Sequence, residues 1–504
     1  MLEGVSIVRT KIPSLVDVFE KRNSRIFQNL RCPFRLNLSP QKSDQGSQKK
    51  IVRDSMGELE IGHEALYAAQ TQRAINNFPV SGRKLPIKFI EALILIKLNA
   101  AKANKSLQCI DGAVADSIVE ACLDLLNKPD LLDHFPVDVF QTGSGTSSNM
   151  NANEVIASVA EEIASIAVNP NDHVNFGQSS NDVVPSAIHI SARMMLESAL
   201  KPEIEYLINS IEQKAVDVGG FCKTGRTHLM DAMPVRMDQT LLGWAAQLIT
   251  ALRLLEGVGN ELKSIALGGT AVGTGINTHP EFSRNFSKLL SVELGVEFKP
   301  GKNFFALMGA QDPAVALSGQ LKTLAVIFLK IANDLRWMNS GPLSGLGEIS
   351  LEALQPGSSI MPGKVNPVIP EAVAMVSAEV IGNDSTITIA GQSGNFELNV
   401  MLPVVAYNLL TSARLMSRSA RLMADKAISS FQVNNSQLQS ALHRNPILVT
   451  ALNPIIGYAK AAEIAKQAYI ENRPIIEVAL ENTKISRTEL EVLLDPIKLT
   501  EGGL

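Results

Sequence analysis

Four stretches of small polar residues interrupt a largely apolar sequence: TGSGTSSNMNANE (residues 142–154), NPNDHVNFGQSSNDVVP (169–185), KTGRTHLMDAMP (223–234) and GSSIMPGKVNP (357–367). Each lies at the edge of a helical pattern. There Ser, Thr, Asn and Asp cap helix N-termini and Gly ends helices, so capping accounts for any one of them. Four together, each with hydroxyl or amide groups and a His or Lys nearby, suit a site for a small dianionic, non-phosphate substrate. Helix N-termini present free N–H groups to anions.

The 357–367 stretch contains Gly363-Lys364 but is not a phosphate-binding P-loop. Five residues, not four, separate Gly357 from that pair, Val365 stands where Ser or Thr must hold magnesium, and Pro362 removes a backbone donor. What remains is two hydroxyls (Ser358, Ser359), a cation (Lys364) and an amide (Asn366), groups able to hold a carboxylate and to move a proton. LGGTAVGTGIN (residues 267–277) lacks the G-x-G-x-x-G order and follows no strand pattern, so it reads as a helix-end loop. Of the seven histidines, His228 stands in a small polar turn and is the candidate acid–base group. His63, His134, His189, His279 and His443 lie outside the islands and read as structural or surface residues. Glu371 follows Pro370 at a helix start, where the dipole favours a carboxylate. Paired with His228, it would fix the imidazole tautomer and make a competent acid–base group.

The elements that must position these groups are helices. The 504 residues suffice for roughly three domains. Hydrophobic residues make up 45% but aromatics only 5%, so Ala, Leu, Ile and Val must fill the core, which favours helix on helix. Leu317, Leu321, Leu324, Phe328, Ile331, Leu335 and Met338 alternate spacings of four and three, a single seam. A second apolar pattern runs through Leu241, Leu242, Ala245, Leu248, Ile249, Leu252, Leu255, Leu262 and Ile265. Such helices predict an elongated bundle, continued across subunits.

A net charge of −4 argues against general nucleic-acid binding. The four cysteines form no C-x-x-C pair or Cys/His cluster and read as reduced structural thiols, not as metal ligands. No run of about 18 uncharged apolar residues predicts a membrane span, and no secretory h-region opens the chain. Residues 1–50 hold ten Lys/Arg and four Asp/Glu and end in a polar, linker-like run. This basic leader reads as a disordered extension in preference to a transit peptide, because Glu3, Asp17 and Glu20 interrupt it.

Taken in order, TGSGTSSNMNANE, NPNDHVN…QSSND, GRTHLMDA, LGGTAVGTGIN, GSSIMPGKVNP and GNFELNV (residues 394–400) resemble the fumarase/aspartase superfamily, specifically its class II, iron-independent fumarate hydratases. The resemblance extends from about residue 53 to the C-terminus. It implies an all-α fold in three domains with a central long-helix bundle and a tetrameric helical core. The expected division is a leader (1–50), an N-terminal helical domain (51–180), the bundle (181–435) and a small C-terminal helical domain (436–504). Active sites would be built from three subunits of a homotetramer.

The implied reaction is the reversible anti-addition of water to fumarate, giving (S)-malate, a step of the tricarboxylic acid cycle. Ser358 matches the family's base, and His228 backed by Glu371 would protonate the departing hydroxyl. Lys364, Asn366 and loop N–H groups would stabilise the aci-carboxylate. Ser144, Thr146, Ser179, Ser180, Asn181, Thr227 and Ser359 would hold the substrate carboxylates. Asn169, Asn171 and Asp172 correspond to a second anion site, put in doubt by Asn169 where many relatives have His. Ala68, before AQTQR, and Phe176-Gly177 also depart from the pattern. No metal, organic cofactor, nucleic acid or membrane partner is implied. The expected location is the cytoplasm, or the mitochondrion if the chain is eukaryotic and its leader a transit peptide. Aspartate ammonia-lyases are the alternative, but Gly363, His228 and Ser180 stand where they carry Ala, Gln and Thr. A non-catalytic structural homologue is the other alternative, and the intact set Ser358, His228, Lys364, Asn366 and Glu371 argues against it.

Overall fold

A core short of aromatic rings is filled by branched and small side chains stacked between helices. The computed structural model describes residues 49–502, so the basic leader falls outside the described residues but for Lys49 and Lys50. The described chain opens with a hairpin, β1 (Lys49–Asp54) and β2 (Gly57–Gly62). There follow α1 (Ala69–Asn77), α2 (Ile87–Ser106), α3 (Gly112–Asn127), α4 (Thr146–Ala164) and α5 (Ser180–Met195), which a π turn joins to α6 (Lys201–Val218). A second hairpin, β3 (Cys222–Thr227) and β4 (Met230–Arg236), leads into α7 (Met237–Glu261), α8 (Phe282–Leu294) and α9 (Phe304–Gly309). Two long helices, α10 (Asp312–Met338) and α11 (Val368–Gly391), precede α12 (Leu402–Met423). The smaller α13 (Asn435–His443), α14 (Asn453–Ile456), α15 (Tyr458–Glu471), α16 (Ile475–Asn482) and α17 (Arg487–Leu493) complete the chain. Every ladder among the described residues has two strands, and the fold is all-α in character.

In the bundle, α10 lies against α7, α11 and α12, and α12 also packs on α5 and α6. Beside it α2 packs on α3, α5 and α8. All seven residues of the predicted α10 seam are buried, from Leu317 to Met338. One apolar cluster runs from Leu85 to Leu438, and a separate one from Leu448 to Leu494. Cys109, Cys122 and Cys222 are free thiols.

The second apolar pattern is not one core stripe. Leu241, Ala245, Leu248, Leu255, Leu262 and Ile265 are buried, but Leu242 and Ile249 are 45% and 49% exposed. Val326 on α10 and Met375 and Ile389 on α11 are exposed as well. Both α7 and α10 are apolar and long enough to cross a membrane by length and composition, with 33% and 44% of that stretch buried within the chain. Each puts one face in the bundle core and leaves an apolar face outward.

Phe328 sits in the middle of the seam with no exposed surface. Phe328→Ala should cost about 3–5 kcal/mol, read as a lowered denaturant midpoint. A loss below about 1 kcal/mol would show that the seam is not the structural core.

Candidate active site

The first group of predicted residues forms at the N-termini of α4 and α5. Gly145 has φ +77° and turns the chain into α4, where Ser144 Oγ and Thr146 Oγ1 lie 2.7 Å apart. Ser179 caps α5: its Oγ accepts from the Asn181 N–H, and Asp182 accepts from the Ser179 N–H in return. Asn149 on α4 donates to Ser180 Oγ at 3.0 Å, which ties the two helix starts together. Asp182 also accepts from the N–H groups of Gly268 and Thr270, and Asn181 donates to the Ala271 carbonyl, so the 267–277 loop joins the group. Burial pushes the Asp182 carboxyl up to about 6 against these three backbone N–H bonds. The 394–400 turn closes on the same place. A Cβ at Gly143 would lie 2.1 Å from the Val400 carbonyl oxygen, so only glycine allows that approach. Two helix N-termini thus face one patch of hydroxyls and amides, a setting that favours anions.

The second group is the 357–367 loop. The Gly357 N–H donates to the Lys364 carbonyl and Asn366 Nδ2 donates to the Gly357 carbonyl, which closes the loop on itself. A Cβ on Gly357 would meet the Lys364 oxygen at 2.6 Å. Ser358 Oγ accepts from the N–H groups of Ile360 and Met361 at 3.2 and 3.0 Å. Donors aimed at a hydroxyl oxygen favour its anionic form. Lys364, Asn366 and Glu371 line an open cleft of 540 Å³ with Asn333, Arg336 and Trp337 of α10. Ser359 and Lys364 are exposed, and Glu371 lies in the first turn of α11.

The third group is the β3–β4 hairpin. His228 and Leu229 form its two-residue turn with φ of 56° and 61°, which a primed hairpin turn requires and which non-glycine residues rarely adopt. Thr227 and His228 are exposed. The stem is held from below. Glu348, 3% exposed, accepts from Lys223 Nζ and Arg226 Nη1, each at 2.5 Å. Asn445 Nδ2 donates to the Ala232 carbonyl.

These groups do not meet within one chain. Trp337 lines both the Lys364 cleft and a second cleft under the hairpin, beside Arg226 and Leu229, so loop and hairpin share one end of the bundle. His228 is nevertheless not brought to Glu371: the histidine is exposed at the hairpin tip and the carboxylate faces the α10 cleft. The Ser144–Asn181 group occupies the other end. The 24 residues of α11 put about 36 Å between the 357–367 loop and the 394–400 turn.

Asn169, Asn171 and Asp172 lie on an exposed π turn. There Asn169 Oδ1 accepts from the N–H groups of Asn171 and Asp172, so those donors are already engaged. Other features were missed in the sequence. A 320 Å³ cleft beside Thr146 is also lined by Gln70, Arg73 and Asn77. Arg73 donates to Asp54 from Nε at 2.8 Å, and this bond holds the Asp54 carboxyl below its usual range. Buried Glu154 accepts from the N–H groups of Ala68, Gln70 and Thr71, capping α1 from a distance where Ala68 has no side-chain cap to offer. The AQTQR run was the available signal. His189 is structural: it is buried and its Nδ1 lies 2.7 Å from the Ser264 carbonyl oxygen, which fixes the tautomer. Among the described residues no cluster of three or more His, Cys, Asp or Glu is placed to hold a metal.

Residues 57–382 match the Lyase family model and residues 448–501 the Fumarase C C-terminus model. A class II fumarate hydratase of Pseudomonas aeruginosa is 65% identical over 455 residues, 90% of this chain and 99% of its own. One from Xylella fastidiosa is 56% identical over 90% of this chain and 96% of its own. Among solved structures, the class II fumarase of Schistosoma mansoni is similar at a TM-score of 0.85 and 35% identity, over 90% of this chain and 99% of that one. A Brucella melitensis fumarate lyase:delta crystallin bound to cobalt is similar at a TM-score of 0.86 and 40% identity, over 90% of this chain and the whole of that one. The helical fold, the ordered motifs and these relatives agree, and the chain belongs to the class II fumarate hydratases of the fumarase/aspartase superfamily.

Proposed function

We propose that this fumarate hydratase interconverts fumarate and (S)-malate at a site shared between subunits of a homotetramer, with Ser358 as the base and His228 as the acid. The observation that carries the assignment of roles is the Ser358 hydroxyl, which accepts two backbone N–H bonds beside a cleft lined by Lys364, Asn366 and Glu371. In the malate-to-fumarate direction, Ser358 takes the C3 proton. Charge then moves onto the adjacent carboxylate, where Lys364, Asn366 and loop N–H groups offset it, and preorganised donors of this kind are usually the largest catalytic contribution. Ser144, Thr146, Ser179, Ser180, Asn181, Thr227 and Ser359 hold the two carboxylates. His228, with a Glu371 from another subunit behind it, passes a proton to the leaving hydroxyl.

The tetramer is supported by what one chain leaves uncovered. Leu229 and Met230 at the hairpin tip, Ile360 and Met361 in the loop and Phe396 in the 394–400 turn are all 50% exposed or more, although each adjoins proposed site residues. The outward apolar faces of α7, α10 and α11 add to them. Bringing one chain's 394–400 end against another's 357–367 end covers these surfaces and joins the groups.

Ser358→Ala and His228→Asn should each lower kcat by about 100- to 10,000-fold, followed as ultraviolet absorbance of fumarate formed from malate. A loss below tenfold in either would remove that residue from the chemistry. The shared site has its own test. Unfolding the two inactive variants together and refolding them should restore part of the wild-type activity, because mixed tetramers contain some sites with both residues intact. No recovery from a mixture that does form mixed tetramers would mean that Ser358 and His228 come from the same chain.

A further inference from the structure

Lys97 lies in the middle of α2 with no exposed surface. Burying an ammonium group is costly unless it is paired, and such groups are rarely left inside without a carboxylate. Lys97 Nζ instead donates to two neutral amide oxygens, Asn175 Oδ1 at 2.9 Å and Gln178 Oε1 at 3.0 Å. The carboxylate that acts on it through space is Asp182, already engaged by three backbone N–H groups. Burial lowers the Lys97 amine to about 7, with Asp182 opposing. The Cys122 thiol beside it is pushed upward by burial, so it supplies no counter-charge.

The amide that receives this charge leads to the site. Asn175 Oδ1 also accepts from Asn149 and Asn153, each at 3.2 Å. Asn149 Nδ2 lies 3.0 Å from Ser180 Oγ. Lys97, Asn175, Asn149 and Ser180 therefore form one connected chain of polar groups from the helical core to the start of α5. The whole path is buried but for Asn175, which is half-buried.

We propose that Lys97 is the buried counter-charge of the dicarboxylate site, a positioning residue whose positive charge favours a dianion bound at the α4 and α5 N-termini. This rests on reading Ser179, Ser180 and Asn181 as holders of a substrate carboxylate. In a water-poor interior a charge a few bonds away is weakly screened. It strengthens binding without touching the reacting atoms, and because the direct partners of Nζ are neutral amides, Asp182 opposes it only through space.

Two variants separate charge from packing. Lys97→Met keeps the length of the side chain and removes the charge. Gln178→Glu keeps an acceptor for Lys97 and cancels its charge with a neighbouring carboxylate, while giving up the Nε2 bonds to the Val174 and Phe176 carbonyls. Both should raise KM for malate and the inhibition constant of succinate by about tenfold, with kcat changed far less. Gln178→Glu loses those two Nε2 bonds but gains a charged partner in Lys97, so it should still fold, with its thermal midpoint measured alongside, and a Lys97→Met variant that failed to fold would leave the idea exposed to this second test. Succinate binding by the folded Gln178→Glu variant equal to that of the wild type would overturn the counter-charge. Calorimetric binding of succinate is read beside turnover. A wild-type protein inactive on malate would defeat the assigned reaction, while a succinate affinity that still fell in Gln178→Glu would keep Lys97 in its role, and a wild type that bound no succinate would remove it.

Discussion

A straight α-helix cannot bring its two ends together, and the arrangement of this molecule follows from that. The helices α7, α10 and α11 hold 25, 27 and 24 residues and are therefore rods of about 36–40 Å. Each crossing of the bundle carries the chain to the opposite end. Residues 142–185 lie at one end, 223–234 at the other, 267–277 back at the first, 357–367 at the second and 394–400 at the first again. The order of the polar islands along the sequence is the order in which the chain reaches alternate ends. Chemistry that needs both ends has to be completed by another chain running the other way. If the site draws on both ends, as proposed, the length of the helices makes oligomerisation a condition of completing it.

That constraint also accounts for which parts of the fold were legible. The α10 seam could be read because a strict four-three spacing points all its residues inward, and all seven are buried. The α7 pattern was legible as apolar but not as directional. Leu242 and Ile249 carry the same hydrophobicity as Leu241 and Leu248, and nothing local says that one pair faces this chain's core and the other pair faces away. The capping of α5 by Ser179 and Asp182 was visible as S-S-N-D, a sequence-local device. The capping of α1 by Glu154, more than 80 residues later, was not.

The hairpin under His228 was hidden for a different reason. Primed turns announce themselves through Asn-Gly or Asp-Gly, and here the two turn residues are His and Leu. Left-handed backbone at two successive side-chain-bearing residues costs of the order of 1–3 kcal/mol each. Such a turn persists only where its surroundings over-determine it. The surroundings are Glu348 clamped between Lys223 and Arg226, Asn445 on the Ala232 carbonyl, and Gly225, where a Cβ would lie 2.4 Å from the Met233 oxygen. The strain therefore stands at the residue proposed as the acid, and the support for it comes from distant parts of the chain.

Rigidity of the same kind explains the polar interior beneath the end proposed to bind the carboxylates. A hydroxyl on a solvated loop turns freely and must be ordered by each ligand that arrives. Ser180 is held by Asn149, Asn149 shares Asn175 with Asn153 and Lys97, and Asp182 is fixed by backbone groups from two segments. The groups of that set are held by the chain itself, so little reorganisation would remain on binding the charge proposed to sit there. Burying so many polar groups is tolerable because their donors are engaged with one another, although the Oδ1 atoms of Asn149 and Asn153 are left without a partner among the described residues. The helices set which groups stand at each end of the bundle; the buried network fixes the orientation of the groups that one end presents.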